Sequence, residues 1–551
     1  MNKILYISII AASLILMTGC GDEFLNRENL YEKNLETYYE TPKDVDEALI
    51  GAYSRLTVDA GINHPMLLAN VLSDDCYSGG GTGDAEAWDI DQQKNRAEDR
   101  YLHIYQRSYS GIYSLNMLLN NFDKAVYEDA VLQKQHKGEA QFLRAYYYFR
   151  LAQLFGEVPL NLGTELAYLG KASHEELYQQ IASDLKGAIE NLPDEAWTEG
   201  WANENSGRAT KWAAEALMAR VYLFYTGYYN ASDLPGGITK ANVVEWIEDC
   251  INNSGHGLLD DFRSNWPYAH LFVDEDDNGV DDIPWPGDGH KETVWAIKYT
   301  NQGHWAGPGN PGRLAYTNQQ VLYNSMRGGV DYPPYGQGWG IGQVSTLLDA
   351  AMLGDPRQEM TIIDVTTDPA LVGSHEWGAW QFRDETGLYN KKYSAILTAT
   401  TNDAGQTVYK GMYYNLFGGL EESYQLWNMQ DDIIIRFADV LLMHSELTGT
   451  ADGLTEVRAR VGLDEVAYSL DNIKKERRIE LALEGVRYYD LLRWGDAKTA
   501  IEAANGAPVK LLGLDDVYSV NFDEAKAFLP LPESEINLSR GNLIQNPGWA
   551  K

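Results

Sequence analysis

The chain has 551 residues, 44% of them hydrophobic and 12% aromatic, enough for one large core or two smaller ones. Its formal net charge of −36 excludes nucleic acid as a partner, because a polyanion would be repelled along its length, and disfavours adhesion to anionic lipid heads. After Cys20 no apolar run approaches the ~20 residues needed to cross a bilayer, so the rest of the chain reads as soluble.

The chain opens with Lys3 and an apolar run from Ile4 to Met17, the pattern of a signal peptide over residues 1–19 and too short for a spanning helix. Thr18-Gly19-Cys20 resembles a bacterial lipobox, which implies that Cys20 carries diacylglycerol and becomes the mature N-terminus. Each buried methylene contributes about 0.8 kcal/mol, so several acyl chains anchor a protein almost irreversibly. Gly21-Asp22-Glu23 resembles a signal that sends lipoproteins to the outer face of the cell, at the start of a tether over 20–40. Only Cys76 and Cys250 remain, too few for a disulfide framework, and their spacing does not decide whether they pair.

From 41 to 254 apolar residues recur at helical spacing, and helices are predicted near 42–58, 96–121, 128–155, 174–192 and 210–229. Two of them share a repeat: Glu139-Ala140 leads to Arg144, Tyr146 and Tyr148, and Glu215-Ala216 leads at the same offsets to Arg220, Tyr222 and Phe224. The separation is a little over two ~34-residue tetratricopeptide units, which predicts helix hairpins stacked as a short solenoid. Residues 255–430 differ. They are dense in Gly, Pro, Asn and Trp with only short strand-like runs such as 293–297, and they read as a loop-rich lobe. Helical spacing returns over 431–551, with helices predicted at 433–447 and 471–493. The expected fold is mostly α: a tetratricopeptide-like scaffold carrying an irregular second lobe.

The C-terminal region holds the most specific words. The run from Arg477-Arg478-Ile479-Glu480-Leu481-Ala482-Leu483-Glu484-Gly485 to Val486-Arg487-Tyr488-Tyr489-Asp490-Leu491-Leu492-Arg493-Trp494-Gly495 closely resembles the signature of the SusD/RagB family of outer-membrane nutrient-binding lipoproteins. Phe528-Leu529-Pro530-Leu531-Pro532, Gln545-Asn546-Pro547-Gly548-Trp549, Arg436–Leu442 and Phe142–Tyr146 are similar to further motifs of that family. The charged residues of the signature alternate with apolar ones on a helical period, so they read as structural, the arginines pairing with Glu480, Glu484 or Asp490. The resemblance implies a cell-surface, lipid-anchored lid on a TonB-dependent barrel transporter of the SusC type, one that captures oligosaccharide and touches the membrane only through its lipid.

Sugars present an apolar C–H face and a rim of hydroxyls, so their sites need flat rings with polar neighbours. Fifteen Trp and 36 Tyr supply more rings than a core of this size requires. The Ser73–Gly81 stretch offers Asp74, Asp75 and Tyr77, with Trp88 following; the alternative is that the carboxylates cap a helix and Trp88 packs. Trp305 stands among glycines in a second aromatic loop, Trp339 in Gly338-Trp339-Gly340 competes with it, and so do Trp377 and Trp380; Trp88 and Trp305 rank first. Asp274, Asp276 and Asn278, followed by Gly279 and the Val280 carbonyl, fit the first half of a calcium loop. The twelfth position is Trp285, which excludes an EF-hand and leaves a looser loop closed by Asp281 or Asp282, or a solvated acidic turn.

Catalysis is not expected. Eighty acidic residues offer many carboxylate pairs and single out none, and no zinc-type histidine spacing, phosphate loop or serine elbow occurs. A peptide-binding member of the same family and a surface glycoside hydrolase are the alternatives to glycan capture.

Overall fold

The computed structural model describes residues 38–57, 64–94, 99–200, 202, 207–272, 285–300, 317–328, 331–418, 423–426 and 428–549. Helix α1 (Pro42–Tyr53) starts in a capping box in which the Thr41 hydroxyl accepts from the Asp44 amide while the Asp44 carboxylate accepts from the Thr41 amide. The short α2 (Pro65–Val71), β1 (Cys76–Gly79) and α3 (Ala85–Asp91) follow. The scaffold is then laid down by α4 (Leu102–Asn121), α5 (Ala130–Phe155), α6 (His174–Asn191), α7 (Lys211–Tyr228) and α8 (Lys240–Asn253). Asp129, Ser173, Thr210 and Thr239 cap the N-termini of the last four, satisfying amides that have no partner within the helix.

These helices pack in succession, α1 on α4, α4 on α5, α5 on α6, α6 on α7 and α7 on α8, as the repeat predicts. The repeated residues are placed alike. Glu139 and Glu215 are both fully buried. Arg144 makes a forked pair to Asp184 on α6, both bonds 2.8 Å, and Arg220 pairs with Asp439 one layer further on. The small-then-aromatic residues between them, Ala145 to Phe149, sit inside the core.

The second lobe contains strands of at most five residues among the described ones. Two pairings tie it to the helices. Strand β3 (Ile341–Val344) runs antiparallel to β1 with Cys76 opposite Val344 and Gly79 opposite Ile341. Strand β2 (Thr293–Ile297) runs antiparallel to β4 (Asp432–Arg436), which leads straight into α9 (Phe437–Thr448). Residues 433–436, predicted as the start of a helix, are therefore strand: three consecutive isoleucines suit a pleated ladder and find a partner there. Helices α10 (Asp452–Arg460), α11 (Leu470–Glu480) and α12 (Arg487–Trp494) complete the scaffold.

The single helix predicted over 471–493 is broken between α11 and α12. Leu483 (φ 67°) and Gly485 (φ 75°) adopt left-handed backbone, and Asn70 clamps the bend, donating to the Leu483 carbonyl at 2.9 Å and accepting from the Gly485 amide at 3.0 Å. A Cβ on Gly485 would meet Met66. The break is thus a tertiary demand from α2 that helical periodicity does not carry.

One large hydrophobic core runs through α1 and α4–α9, and a second, rich in rings, lies under the lobe around Phe262, Trp266, Tyr389 and Tyr393. Much of the aromatic content read as surplus for ligand is therefore interior, with Trp212, Trp266, Tyr147 and Tyr178 among the largest fully buried side chains. Cys76 and Cys250 are both buried free thiols, and burial raises the pKa of each. Neither is expected to react with a maleimide in the folded protein, and both should react after unfolding, as read by intact mass; a disulfide-linked peptide would contradict this.

Candidate functional site

The sequence-predicted residues of the Ser73–Gly81 stretch face inward. Asp74 receives Arg487 through two bonds of 2.8 and 3.0 Å and Arg478 at 2.9 Å, while Asp75 receives Arg478 at 2.9 Å. Burial pushes the Asp74 carboxyl up, but the bond from Arg487 and the charges of Arg478 and Arg487 outweigh it and leave the group below its usual range. Burial wins at Asp75, which is raised. Tyr77 stacks on Tyr518 with ring centroids 4.0 Å apart, approaches the Thr346 hydroxyl at 3.3 Å, and is pushed by burial to about 12. Expected to meet sugar hydroxyls, Asp74 and Asp75 instead lock the segment before β1 to α11 and α12, because two desolvated carboxylates require cations and those helices supply them, while Tyr77 packs on Tyr518.

The stretch then turns through buried glycines against the segments that carry Trp339 and Trp380, and this junction forms a ledge. Gly79 and Gly80 take φ of 64° and 70°, and the Gly81 amide donates to Asp84 Oδ2 at 2.7 Å. Asp84 also accepts Arg327 Nη1 at 3.0 Å. The same guanidinium donates to the Trp339 carbonyl at 2.8 Å and to the Trp380 carbonyl at 3.1 and 3.3 Å. A Cβ on Gly81 would overlap both the guanidinium and the Trp380 carbonyl, so glycine is required where the segments meet. Arg327 thereby ties two tryptophans far apart in sequence, Trp339 and Trp380, to Asp84 at the start of the helix that carries Trp88.

Their rings differ in availability. Trp88, on α3, is half-buried and already carries Lys94 Nζ 3.7 Å from its ring centre, with the Arg383 guanidinium at 5.5 Å. Trp339 is half-buried and meets Tyr323 edge-on at 4.8 Å. Trp380 is 53% exposed, with no ring or cation contact among the described residues. Its backbone is left-handed (φ 51°, ψ 39°), as is that of Gln381 (φ 58°), whose amide oxygen accepts from the Thr82 hydroxyl. Such backbone costs about 1–3 kcal/mol where the residue is not glycine, and it persists here because Arg327 and the bridge from Phe382 to Gly81 hold it. Trp377 packs against Gly387 and meets His375 edge-on at 4.9 Å, so it is less available. Trp305, the acidic-loop residues Asp274, Asp276, Asn278, Val280 and Asp282, and Cys20 lie outside the described residues.

Arg327, Arg383, Thr82 and Gln381 went unseen in the sequence. No motif marks them, and only the fold brings 80–84, 327 and 380–383 together.

Beneath the ledge lies an acid cluster. Asp91 Oδ2 accepts from the Ser78 amide at 3.1 Å, the Tyr518 hydroxyl bonds to Oδ1, and Asp384 Oδ2 accepts from the Ser78 hydroxyl at 2.6 Å. Burial, then the charge of Asp384, pushes the Asp91 carboxyl up to about 8. A folded-state pKa above the unfolded value means stability that is complete below the unfolded pKa and is lost as pH rises through the folded one. The window thus runs from about 4 to about 8. Asp91→Asn should flatten this decline, so that the variant's melting temperature gains on the wild type from pH 5 to pH 8; parallel melting profiles would refute it.

Residues 23–223 match a family described as starch-binding and associating with outer membrane, and residues 291–549 match the SusD family, also called SusD/RagB. The chain belongs to the SusD family. The SusD-like protein P25 of Formosa agariphila is 24% identical over 532 residues, covering 88% of this chain and 89% of that protein. Among solved structures, a laminarin binding SusD-like protein superposes with a TM-score of 0.70 at 25% identity, over 93% of this chain and 100% of the other. The surface glycan-binding protein A from Bacteroides fluxus gives 0.70 at 25%, over 92% and 99%. The family description places such proteins with the outer membrane, and no described helix is long and apolar enough to cross one. The SusD fold accounts for the Arg436–Leu442 and Arg477–Trp494 motifs as scaffold, since their charges are almost all engaged with one another or with Asp74 and Asp75.

Proposed function

We propose that this chain is a cell-surface, lipid-anchored glycan-binding protein that captures oligosaccharide on the Trp380 ledge and passes it to a SusC-like TonB-dependent transporter without chemistry of its own. The observation that carries the reading is the bare Trp380 indole, on a backbone fixed by Arg327, with Thr82, Gln381 and Arg383 close in the fold. A flat ring takes the C–H face of a pyranose while neighbouring polar groups take its hydroxyls. The laminarin-binding relative and the surface glycan-binding protein A make β-glucan of the laminarin type the first ligand to test.

Absence of catalysis is supported by the state of the carboxylates. Glycoside hydrolysis needs two of them roughly 5–10 Å apart across the scissile bond. Asp84 is engaged by Gly81 and Arg327, and Asp91 is buried under Ser78 and Tyr518. Calorimetry against a panel of laminarin, starch and other oligosaccharides tests capture; no binding to any, together with intact co-purification with a barrel, would leave only a lid. Release of reducing ends from an incubated polysaccharide would overturn the non-catalytic part. Cys20→Ala should move the protein from the membrane to the soluble fraction. The Asp274–Asp282 loop is proposed to hold calcium, and a chelator-stripped protein giving no heat with calcium would remove that element.

A further inference from the structure

A cavity of about 80 Å³ lies where α5 and α7 meet α9 and α12, away from the ledge. Tyr146, Arg150 and Gln153 stand at i, i+4 and i+7 on one face of α5 and line it, opposite Tyr489 of α12. The charges around the cavity are otherwise balanced. Arg220, Arg477 and Arg493 alternate with Asp439, Asp490 and Glu446 in one continuous chain of ion pairs, and Glu484 is taken by Lys392 and Arg436.

Arg150 is the exception. It is 6% exposed, its Nε has no hydrogen-bond partner, and it forms no ion pair with any described residue. Tyr146, Tyr489 and Gln153, each with a side chain able to donate a hydrogen bond, line the cavity beside it. Both phenols feel the guanidinium: burial raises their pKa, and the Arg150 charge opposes it. A buried guanidinium without a counter-charge is costly, and the groups around it are hydrogen-bond donors.

We propose that this cavity is a binding site for a small oxyanion, a carboxylate or a phosphate, gripped by Arg150 with Tyr146, Tyr489 and Gln153 donating around it. Its volume admits a few water molecules or one such anion and is too small for an oligosaccharide, so the site is separate from glycan capture.

The test uses the whole mature protein, titrated calorimetrically with inorganic phosphate and with acetate at constant ionic strength. Wild type should show one saturable site for at least one of them, retained in the surface control Arg540→Met and lost in Arg150→Met. Without anion, Arg150→Met should melt above the wild type, because it removes an unpaired buried charge. Saturating anion should raise the wild-type melting temperature by about 2–3 °C at a hundredfold excess over Kd, and leave the variant unmoved. Should Arg150→Met fail to fold, Tyr489→Phe keeps the guanidinium and should weaken binding by about tenfold or more. Identical titrations for wild type and Arg150→Met, or no saturable site in either, would overturn the proposal in favour of waters solvating Arg150.

Discussion

Arg436→Ala is expected to cost about 3–5 kcal/mol of folding stability, the largest effect of any single substitution considered, because it strands carboxylates in the interior. Arg436 is 1% exposed and is the common cation of three glutamates: Nε reaches Glu484 at 2.7 Å, and Nη1 reaches Glu292 at 2.9 Å and Glu480 at 2.5 Å. Arg357 and Arg460 also hold Glu480, so the cluster spans the second lobe, β4, α10 and α11. Removing one arginine leaves Glu484 with Lys392 alone, whose ammonium is itself pushed down to about 8, first by burial. Denaturant unfolding followed by fluorescence should show the midpoint falling with little change in slope. Arg436→Lys should recover only part of the loss, since one ammonium cannot present the guanidinium fork to three carboxylates. An unchanged midpoint in Arg436→Ala would show that water or relaxation compensates the buried anions.

Trp380→Ala should lower oligosaccharide affinity by about 2 kcal/mol, roughly thirtyfold, which is the order expected for losing one well-covered aromatic face. Trp88→Ala should cost less, because Lys94 already sits on that ring. Arg327→Ala offers a separate handle. It leaves every indole in place but releases the Trp380 carbonyl and the left-handed backbone with it, so affinity should fall although no ring is touched. Calorimetry with a laminarin-type oligosaccharide reads all three. Wild-type affinity in Trp380→Ala would remove the ledge as the capture surface, even if the fold and the family stand.

Legibility divided along the length scale of the interactions. Helices α5, α6 and α7 were predicted within a residue or two, because periodic burial and capping side chains such as Asp129, Ser173 and Thr210 act over a single turn. The Glu139 and Glu215 repeat, and the words around Arg477, carried the architecture for the same reason. The site was much less legible. Asp74 and Asp75 have the residue types of a sugar site, yet their partners Arg478 and Arg487 come from the far end of the chain, and no local pattern reveals that pairing. The expectation that the signature arginines pair within their own stretch holds for Arg477 and Arg493 through Asp490, while Glu480 and Glu484 draw their cations from elsewhere.

The sequence alone determined that this is a stack of helix hairpins with a looser lobe, since helical spacing, caps and strand alternation are set by neighbours a few residues apart. The tertiary structure decided which carboxylates are interior, where the signature helix breaks, and which tryptophan stays bare. Each of those outcomes depends on desolvation and on partners hundreds of residues distant, and a burial cost is felt only once the chain has closed around the group.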